Sequence, residues 1–282
     1  MTERYIETNG IRLHALEHGS GERTLILTHG LTANAHSFDG LIKAGLADGM
    51  RVLTVDLRGR GESDKPESGY AMVDHTADLL GLLDALEIDS VTLGGHSFGG
   101  LLTYYMAAHH PERVERCVVI DAPAEVHEGI LDQIKPSLDR LEMVLPSWET
   151  YLAMIKAMPY FDGWWDPTIE AYYRADVQNN PDGTVQARSH PAHIRQAVEG
   201  TLIVDWPTVV RMIEQPTLFI RATDAFGPPG APPIVPEEQG QATMDRIRNG
   251  RMVSIPGNHI TFLFGSSAAL VVAAITEFVE NA

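Results

Sequence analysis

Short apolar runs alternate along the chain with longer segments of helical periodicity. Runs rich in β-branched residues and leucine predict eight strands, at residues 5–8, 12–17, 25–28, 52–55, 91–93, 114–120, 217–220 and 252–255. From the third onward they are mostly continuously apolar, as is typical of strands covered on both faces. Helical patterns lie at residues 35–47, 74–86, 100–109, 237–248 and 266–280. This alternation predicts an α/β fold with a mostly parallel eight-stranded sheet flanked by helices.

One long stretch interrupts the alternation. Between Asp121 and Pro207 no run predicts a strand, whereas helical patterns recur. We therefore expect a core formed by residues 1–121 and 208–282, with a helical insertion, or cap, at 122–207. The insertion is rich in aromatic residues and methionine, which suggests an apolar acyl or aryl pocket. Its candidate lining residues are Trp148, Tyr151, Trp164 and Trp165, although we expect most of its aromatic residues to pack against the core.

Composition narrows the class of protein. Acidic residues exceed basic ones by 38 to 21, a formal charge of −17, which would repel a nucleic-acid backbone. The start of the chain has no basic-then-apolar signal region, and the apolar stretch 268–275 is too short to span a bilayer. We expect a cytoplasmic protein with no membrane partner. Cys117 is the only cysteine, so an internal disulfide is impossible; assembly into a homo-oligomer is left open.

The candidate nucleophile is Ser97, in the motif Gly95-His96-Ser97-Phe98-Gly99. The motif follows a predicted strand and opens a predicted helix, which places the serine on a tight strand-to-helix turn. Gly95 and Gly99 leave room for the strained backbone. The turn lifts the hydroxyl from the sheet and sets it beside a helix N-terminus, whose amides can stabilise an oxyanion.

A serine hydroxyl needs a base to take its proton. His259 follows the last predicted strand, so it lies at the same edge of the sheet as Ser97. The base needs a carboxylate to orient it. We favour Asp224, which follows the strand at 217–220 and lies between Ser97 and His259 in the chain; Asp121, after the strand at 114–120, is the alternative.

The remaining groups complete an acyl-transfer site without a cofactor. His29-Gly30-Leu31 follows the third strand, so the amide of Leu31 can face the same point as the amide of Phe98. His29 is interpreted as a local support for this loop. His190 and His193 suggest a metal site, but no cysteine or well-spaced carboxylate completes it, so we expect no metal.

Taken together, these segments resemble the α/β-hydrolase superfamily. The resemblance covers nearly the whole chain and rests on residues 25–31 (LILTHGL), 56–66 (DLRGRGESDKP), 94–100 (GGHSFGG), 217–224 and 257–259. It implies Ser97 as nucleophile, His259 as base and Asp224 as acid, with the amides of Leu31 and Phe98 as the oxyanion hole. The segment at 57–70 is also similar to hydrolases that split small acylated amino-acid-like or enamide substrates.

Within this superfamily the residues favour some branches over others. Epoxide hydrolases and haloalkane dehalogenases place an aspartate where this chain has Ser97. Carbon–carbon bond hydrolases usually carry a glycine-rich oxyanion segment and a tryptophan after the catalytic histidine, where this chain has Leu31-Thr32-Ala33 and Ile260. We expect a carboxylic ester hydrolase acting on a small molecule through an acyl-enzyme. The alternatives are an amide or carbon–carbon bond hydrolase with the same triad, and a ligand receptor built on a hydrolase fold.

Overall fold

The computed structural model describes residues 1–125, 129–228 and 230–281. Its strands, in chain order, are β1 (Thr2–Thr8), β2 (Ile11–His18), β3 (Thr24–Thr28), β4 (Arg51–Val55), β5 (Val91–His96), β6 (Val114–Ile120), β7 (Val144–Leu145), β8 (Val177–Asn179), β9 (Val185–Ala187), β10 (Thr217–Ala222) and β11 (Gly250–Ile255).

The helices, in the same order, are α1 (Asp39–Lys43), α2 (Met72–Ala85), α3 (Phe98–His109), α4 (Ile130–Asp139), α5 (Trp148–Lys156), α6 (Pro167–Asp176), α7 (Pro191–Leu202), α8 (Trp206–Arg211), α9 (Glu237–Met244) and α10 (Gly265–Glu280). Short 3-10 turns occur at Ala35–Phe38, Pro111–Arg113, Arg140–Glu142, Pro159–Phe161 and Thr261–Leu263.

Eight strands form the main sheet, in the order β1-β2-β4-β3-β5-β6-β10-β11. The pairs β1–β2 and β2–β4 are antiparallel, and the other five pairs are parallel. Each of the eight predicted strands overlaps one strand of this sheet, so the prediction of a mostly parallel eight-stranded sheet is confirmed. The carboxyl ends of β3, β5, β6 and β11 meet at one edge, where the strand order reverses and ligands bind in such sheets.

The strands form because their side chains can be buried on both faces. Every residue of β5 and of β10 is buried. Helix α3 packs against β5 and β6, and its Leu102, Tyr104 and Met106 are fully buried. Cys117 in β6 is part of this core, and burial raises the pKa of its thiol to about 12, so it is a packing residue.

The segment between β6 and β10 contains α4 to α8 together with a small antiparallel sheet of order β7-β9-β8. The prediction that this segment contains no strands was wrong. These strands have only two or three residues, too few to produce an alternating apolar pattern. The helices begin where sequence signals favour it: Ser147 and Asp166 accept backbone amides at the starts of α5 and α6.

The helix predicted at 35–47 is shorter than expected. A 3-10 turn at 35–38 leads into the five-residue α1, and Gly45 then turns the chain with φ of +97°, which a glycine adopts without strain. Across the described residues, no helix is both long and apolar enough to cross a membrane.

Candidate active site

Ser97 lies on a sharp turn between β5 and α3. Its backbone has φ of +54° and ψ of −116°, a conformation that costs energy for a residue with a side chain. A Cβ on Gly95 would lie 2.1 Å from the carbonyl of Gly99, and a Cβ on Gly99 would lie 2.1 Å from the carbonyl oxygen of Thr28. Only glycines therefore allow β3, β5 and α3 to approach closely enough to form this turn.

His259 lies in the loop after β11, at the same edge of the sheet. Its Nδ1 is 2.7 Å from Oδ2 of Asp121, and both side chains are buried. A carboxylate accepts hydrogen bonds and cannot donate them, so Nδ1 carries the proton and Nε2 is left as an acceptor. Ser97, His259 and Asp121 all line one cavity, so His259 can act there as the general base for Ser97.

Asp121 is held so that its carboxylate faces His259. It follows β6 directly, has φ of +52°, and donates its backbone amide to the carbonyl of Ile220 in β10 at 2.7 Å. Its other carboxylate oxygen, Oδ1, accepts the amide of Ala222 at 3.0 Å. Contacts across the neighbouring strand thus fix both the backbone and the side chain of Asp121.

The structure corrects the prediction of Asp224 as the catalytic acid. Asp224 is exposed, its carboxylate accepts the hydroxyl of Thr223 at 2.8 Å, and its amide donates to the carbonyl of Gly257. The ring that the loop after β10 places against His259 is that of Phe226, with 5.4 Å between ring centroids. Asp121, the alternative acid in the sequence, occupies the position expected for Asp224.

The oxyanion hole predicted at Leu31 and Phe98 has two free amides. Neither backbone N–H donates to another group in the described part of the chain. Nδ1 of His29 donates to the carbonyl of Gly30 at 2.7 Å, and Nε2 accepts the amide of Leu57 at 3.0 Å. Burial lowers the pKa of His29 to about 4, so this neutral side chain holds the peptide whose N–H belongs to Leu31.

His96, which precedes Ser97, packs on His259. Its ring centroid is 4.4 Å from that of His259. Burial, with a smaller effect from neighbouring His259, holds the pKa of His96 well below its usual range. His96 is therefore uncharged at neutral pH and supports the ring of His259 without adding a second positive charge to the site.

A cavity of about 460 Å³ opens over these groups. Most of its lining is apolar, from Leu31, Leu101, Ile134, Leu138, Val198, Ile234, Ile260, Leu263 and others. Arg140 is the only arginine or lysine among the described residues that line it, and it is paired with buried Asp176. The described part of the lining therefore presents no arginine or lysine without a counter-charge to a substrate.

The four aromatic residues predicted to line the pocket lie elsewhere, which corrects that prediction. Trp148 stacks on Tyr151, and the hydroxyl of Tyr151 donates to Asp176. Trp164 stacks on Phe161, and Trp165 lies under the ammonium of Lys156. The phenylalanine and tyrosine residues that do line the cavity, among those described, are Phe98, Tyr160, Tyr172, Tyr173, Phe226 and Phe264. The sequence contains no signal that distinguishes these residues from the aromatic residues that pack within the protein.

Comparison with known proteins identifies the family. A family model described as the alpha/beta hydrolase fold matches residues 23–166. The chain is also 31% identical over 222 residues to 2-(acetamidomethylene)succinate hydrolase from Mesorhizobium japonicum, which covers 77% of this chain and 76% of the relative. This protein belongs to the α/β-hydrolase family. Its activity is therefore that of a hydrolase.

Two further similarities show how far this α/β hydrolase resembles characterised proteins. The crystal structure of E-2-(acetamidomethylene)succinate hydrolase superimposes with a TM-score of 0.83 at 26% identity, over 99% of both chains. Epoxide hydrolase A from Mycobacterium tuberculosis is 37% identical over 126 residues, or 44% of this chain and 39% of the relative. The likeness to the succinate hydrolase extends over the whole fold, whereas that to the epoxide hydrolase covers less than half of either chain.

Proposed function

We propose that this α/β hydrolase cleaves a carboxylic ester with an apolar acyl group through an acyl-enzyme on Ser97. The observation that carries the proposal is the hydrogen bond of 2.7 Å between His259 Nδ1 and Asp121, on the wall of the cavity that also contains Ser97. A serine, an oriented histidine and two free amides around one cavity form the set of groups that acyl transfer requires.

The reaction proceeds in two halves. Nε2 of His259 takes the Ser97 hydroxyl proton as Oγ attacks the ester carbonyl carbon, and the oxyanion that forms accepts hydrogen bonds from the amides of Leu31 and Phe98. The intermediate collapses with cleavage of the bond to the alcohol, which receives the proton from His259. Water then gives a proton to His259 and attacks the acyl-enzyme; the acid departs and Ser97 recovers its proton.

The nucleophile argues against an epoxide hydrolase. Those enzymes use an aspartate at the position of Ser97, and a serine acyl-enzyme is the intermediate expected for esters and amides. The similarity to epoxide hydrolase A covers 44% of this chain, a share that can reflect the common core alone.

The cavity favours an apolar acyl group. Its volume of about 460 Å³ lies in the range of small-molecule sites, and its one described arginine is neutralised by Asp176. Helix residues from the insertion, such as Ile134, Leu138 and Val198, contribute to its lining. We therefore assign residues 122–207 the role of a cap that encloses the acyl chain.

An amide substrate is the second candidate. It is favoured by the relative whose name specifies 2-(acetamidomethylene)succinate, a compound with an acetamido group, at 31% identity over 77% of this chain. That compound also carries two carboxylates, for which this cavity offers no free cation among its described arginines and lysines. An uncharged or hydrophobic acyl substrate is therefore a better match than a succinate.

The first experiment is turnover of p-nitrophenyl esters from acetyl to dodecanoyl, beside p-nitroanilides of the same acyl groups. We expect the highest kcat/KM on an ester of intermediate chain length, and Ser97→Ala should lower kcat by about 10⁴-fold or more. Ser137→Ala, another serine lining the cavity, should retain activity. Faster hydrolysis of the anilides than of the matched esters would favour the amide candidate, and inert wild-type enzyme in both series would contradict acyl hydrolysis.

A further inference from the structure

Arg60 carries a fully buried charge beside the active site, in the loop after β4. Its Nε donates to the carbonyl of Leu31 at 3.1 Å and its Nη1 to the carbonyl of Arg58 at 2.8 Å, while Nη2 is buried and has no partner among the described residues. Burial lowers the pKa of Arg60 to about 10, so the side chain is still a cation at neutral pH.

No carboxylate pairs with this cation in the described chain. The neighbouring Arg58 shows the contrast: it is also buried, but its Nε donates to Asp78 at 2.6 Å. Arg60 interacts electrostatically with other bases and one phenol, and with no carboxylate among the described residues. These groups are Arg58, Tyr70, His29, His75 and His193. A buried charge without a counter-charge is costly, so a negative charge that formed nearby would be stabilised by it.

Both residues of the oxyanion hole contact Arg60. Besides the hydrogen bond to Leu31, the guanidinium lies over the ring of Phe98, 5.3 Å from its centroid. The loop that presents Arg60 is fixed by Asp56, whose carboxylate accepts the amides of Ala35 and Glu62. A loop held by Asp56 therefore places one positive charge against the carbonyl of Leu31 and the ring of Phe98.

We propose that Arg60 is a positioning residue for the oxyanion hole, holding the Leu31 carbonyl and placing a permanent positive charge behind the Leu31 and Phe98 amides. Arg60 does not line the cavity, so it acts through these residues and does not touch substrate. The oxyanion of the tetrahedral intermediate supplies the missing counter-charge, in a buried setting where charges interact strongly. This inference rests on the acyl-transfer function proposed above.

The test compares Arg60→Met with wild type on the preferred ester. We expect kcat to fall by about 10- to 100-fold, somewhat less than for loss of a direct oxyanion donor, while KM changes by less than about threefold, because ground-state binding does not involve Arg60. Arg221→Met is the matched control: this arginine is also buried but lies in β10, bound to Ser254, Val235 and Glu237. It should keep the wild-type kcat, and thermal unfolding of each variant reports whether the fold is intact.

A trifluoromethyl ketone with the preferred acyl chain reports on the oxyanion directly. It forms a hemiketal with Ser97, and ¹³C NMR of that carbon gives the pKa of the hemiketal hydroxyl. In Arg60→Met this pKa should rise by about one unit or more, since one unit corresponds to tenfold in oxyanion stabilisation. If Arg60 had only a structural role, the pKa of the hemiketal hydroxyl would be the same in Arg60→Met as in wild type.

Arg60→Lys supplies a second test if the methionine variant does not fold. A lysine buried without a carboxylate has a lowered pKa and loses its proton at alkaline pH. The kcat of this variant should therefore fall as pH rises from about 7 to 9, over a range in which wild type retains its guanidinium charge. Failure of wild type to form the ketone adduct would overturn the acyl-transfer function itself; normal adducts with unchanged hemiketal pKa and flat pH profiles would overturn only the role of Arg60.

Discussion

Two residues at the ends of neighbouring strands adopt positive φ without being glycine. Ser97 follows β5 at +54° and Asp121 follows β6 at +52°. Such conformations cost about 1–3 kcal/mol each and persist only where surrounding contacts enforce them. The amide of Ser97 donates to Ile120 in β6, and that of Asp121 donates to Ile220 in β10. The strained backbone that presents the proposed nucleophile and acid is therefore held by the next strand in the sheet.

Exchanging each candidate acid for its amide decides between them. Asp121→Asn should lower kcat by about 10⁴-fold, because an amide in this position no longer holds His259 in the productive tautomer. Asparagine tolerates positive φ and can still accept the amide of Ala222, so the fold should survive. Ester turnover by the purified variant, with circular dichroism as a check on folding, measures the effect.

Asp224→Asn is the matched control, since it makes the same chemical change on an exposed loop. It should retain kcat within about twofold, as is usual for surface substitutions that leave the fold unchanged. The reverse pattern, with activity lost in Asp224→Asn and kept in Asp121→Asn, would require the loop after β10 to reach His259 in the working enzyme.

Among the secondary-structure elements, a buried polar cluster joins three parts of the insertion. Arg140, in the 3-10 turn after α4, donates from Nη1 to Asp176 at the end of α6 and to the hydroxyl of Tyr151 in α5, the latter at 2.7 Å. Tyr151 donates to Asp176 at 2.6 Å. All three side chains are buried, so each depends on the others to satisfy its polar atoms.

Asp176→Asn tests whether this cluster holds the insertion together. The substitution removes the counter-charge of a buried arginine, a change that costs about 3–5 kcal/mol where the partner stays buried. We expect urea unfolding to show a loss of about that size. Asp139→Asn removes an exposed carboxylate that pairs with Lys135 in α4 and should cost less than about 1 kcal/mol. Equal effects would mean that Arg140 reaches solvent when Asp176 is replaced.

Across the whole molecule, local patterns were sufficient to predict the sheet and to place Ser97 and His259 at one edge of it. Most residues of β3, β4, β5, β6 and β10 are buried, so a continuous apolar run is enough to predict these strands. Ser97 directly follows β5, His259 lies in the loop after β11, and parallel strands end at one edge. Their approximate positions therefore depend only on the neighbouring strand and on the order of strands.

The acid and the pocket depended on contacts between distant residues. Asp121 and Asp224 both follow strands, and tertiary contacts separate them: His259 and the amide of Ala222 bind Asp121, whereas the loop after β10 packs Phe226 against His259. In the insertion, Tyr172 lines the cavity while Trp148 does not, although both lie in amphipathic helices. Side-chain direction in that segment follows from tertiary packing, which a hydrophobic pattern does not specify.

Buried histidines couple the stability of the whole fold to pH. Burial lowers the pKa of His29 to about 4 and holds those of His75 and His96 well below the usual value of 6.5. The unfolded chain binds these protons below about pH 6.5 and the native protein does not, so stability is lost as pH falls through this range. His14 acts in the opposite sense: burial lowers its pKa, but the hydrogen bonds and negative charges of Asp56 and Glu3 together outweigh burial, so the pKa is raised.

His75→Leu isolates one of these contributions. His75 lies in α2 against Tyr70 and Phe98, and neither ring nitrogen has a hydrogen-bond partner in the described chain, so leucine leaves no polar group unsatisfied. Between pH 6.5 and 5 the free energy of unfolding of the variant should fall less steeply than that of wild type. The two slopes should differ by about 1.4 kcal/mol per pH unit, which corresponds to one proton. The difference in unfolding free energy between the variant and wild type should therefore shift by about 2 kcal/mol in favour of the variant between pH 7 and pH 5.

Urea unfolding at intervals from pH 7 to 5 measures both quantities, and His109→Leu controls for loss of a histidine at the surface end of α3. Parallel stability curves for wild type and His75→Leu would mean that His75 binds a proton in the native protein. The guanidinium of Arg60 makes this unfavourable, since its charge also lowers the pKa of His75. The slopes of unfolding free energy against pH can also be compared for Arg60→Met with and without His75→Leu. If the two slopes no longer differ in that background, the charge of Arg60 is what keeps His75 unprotonated in the native protein and so makes the fold less stable in acid.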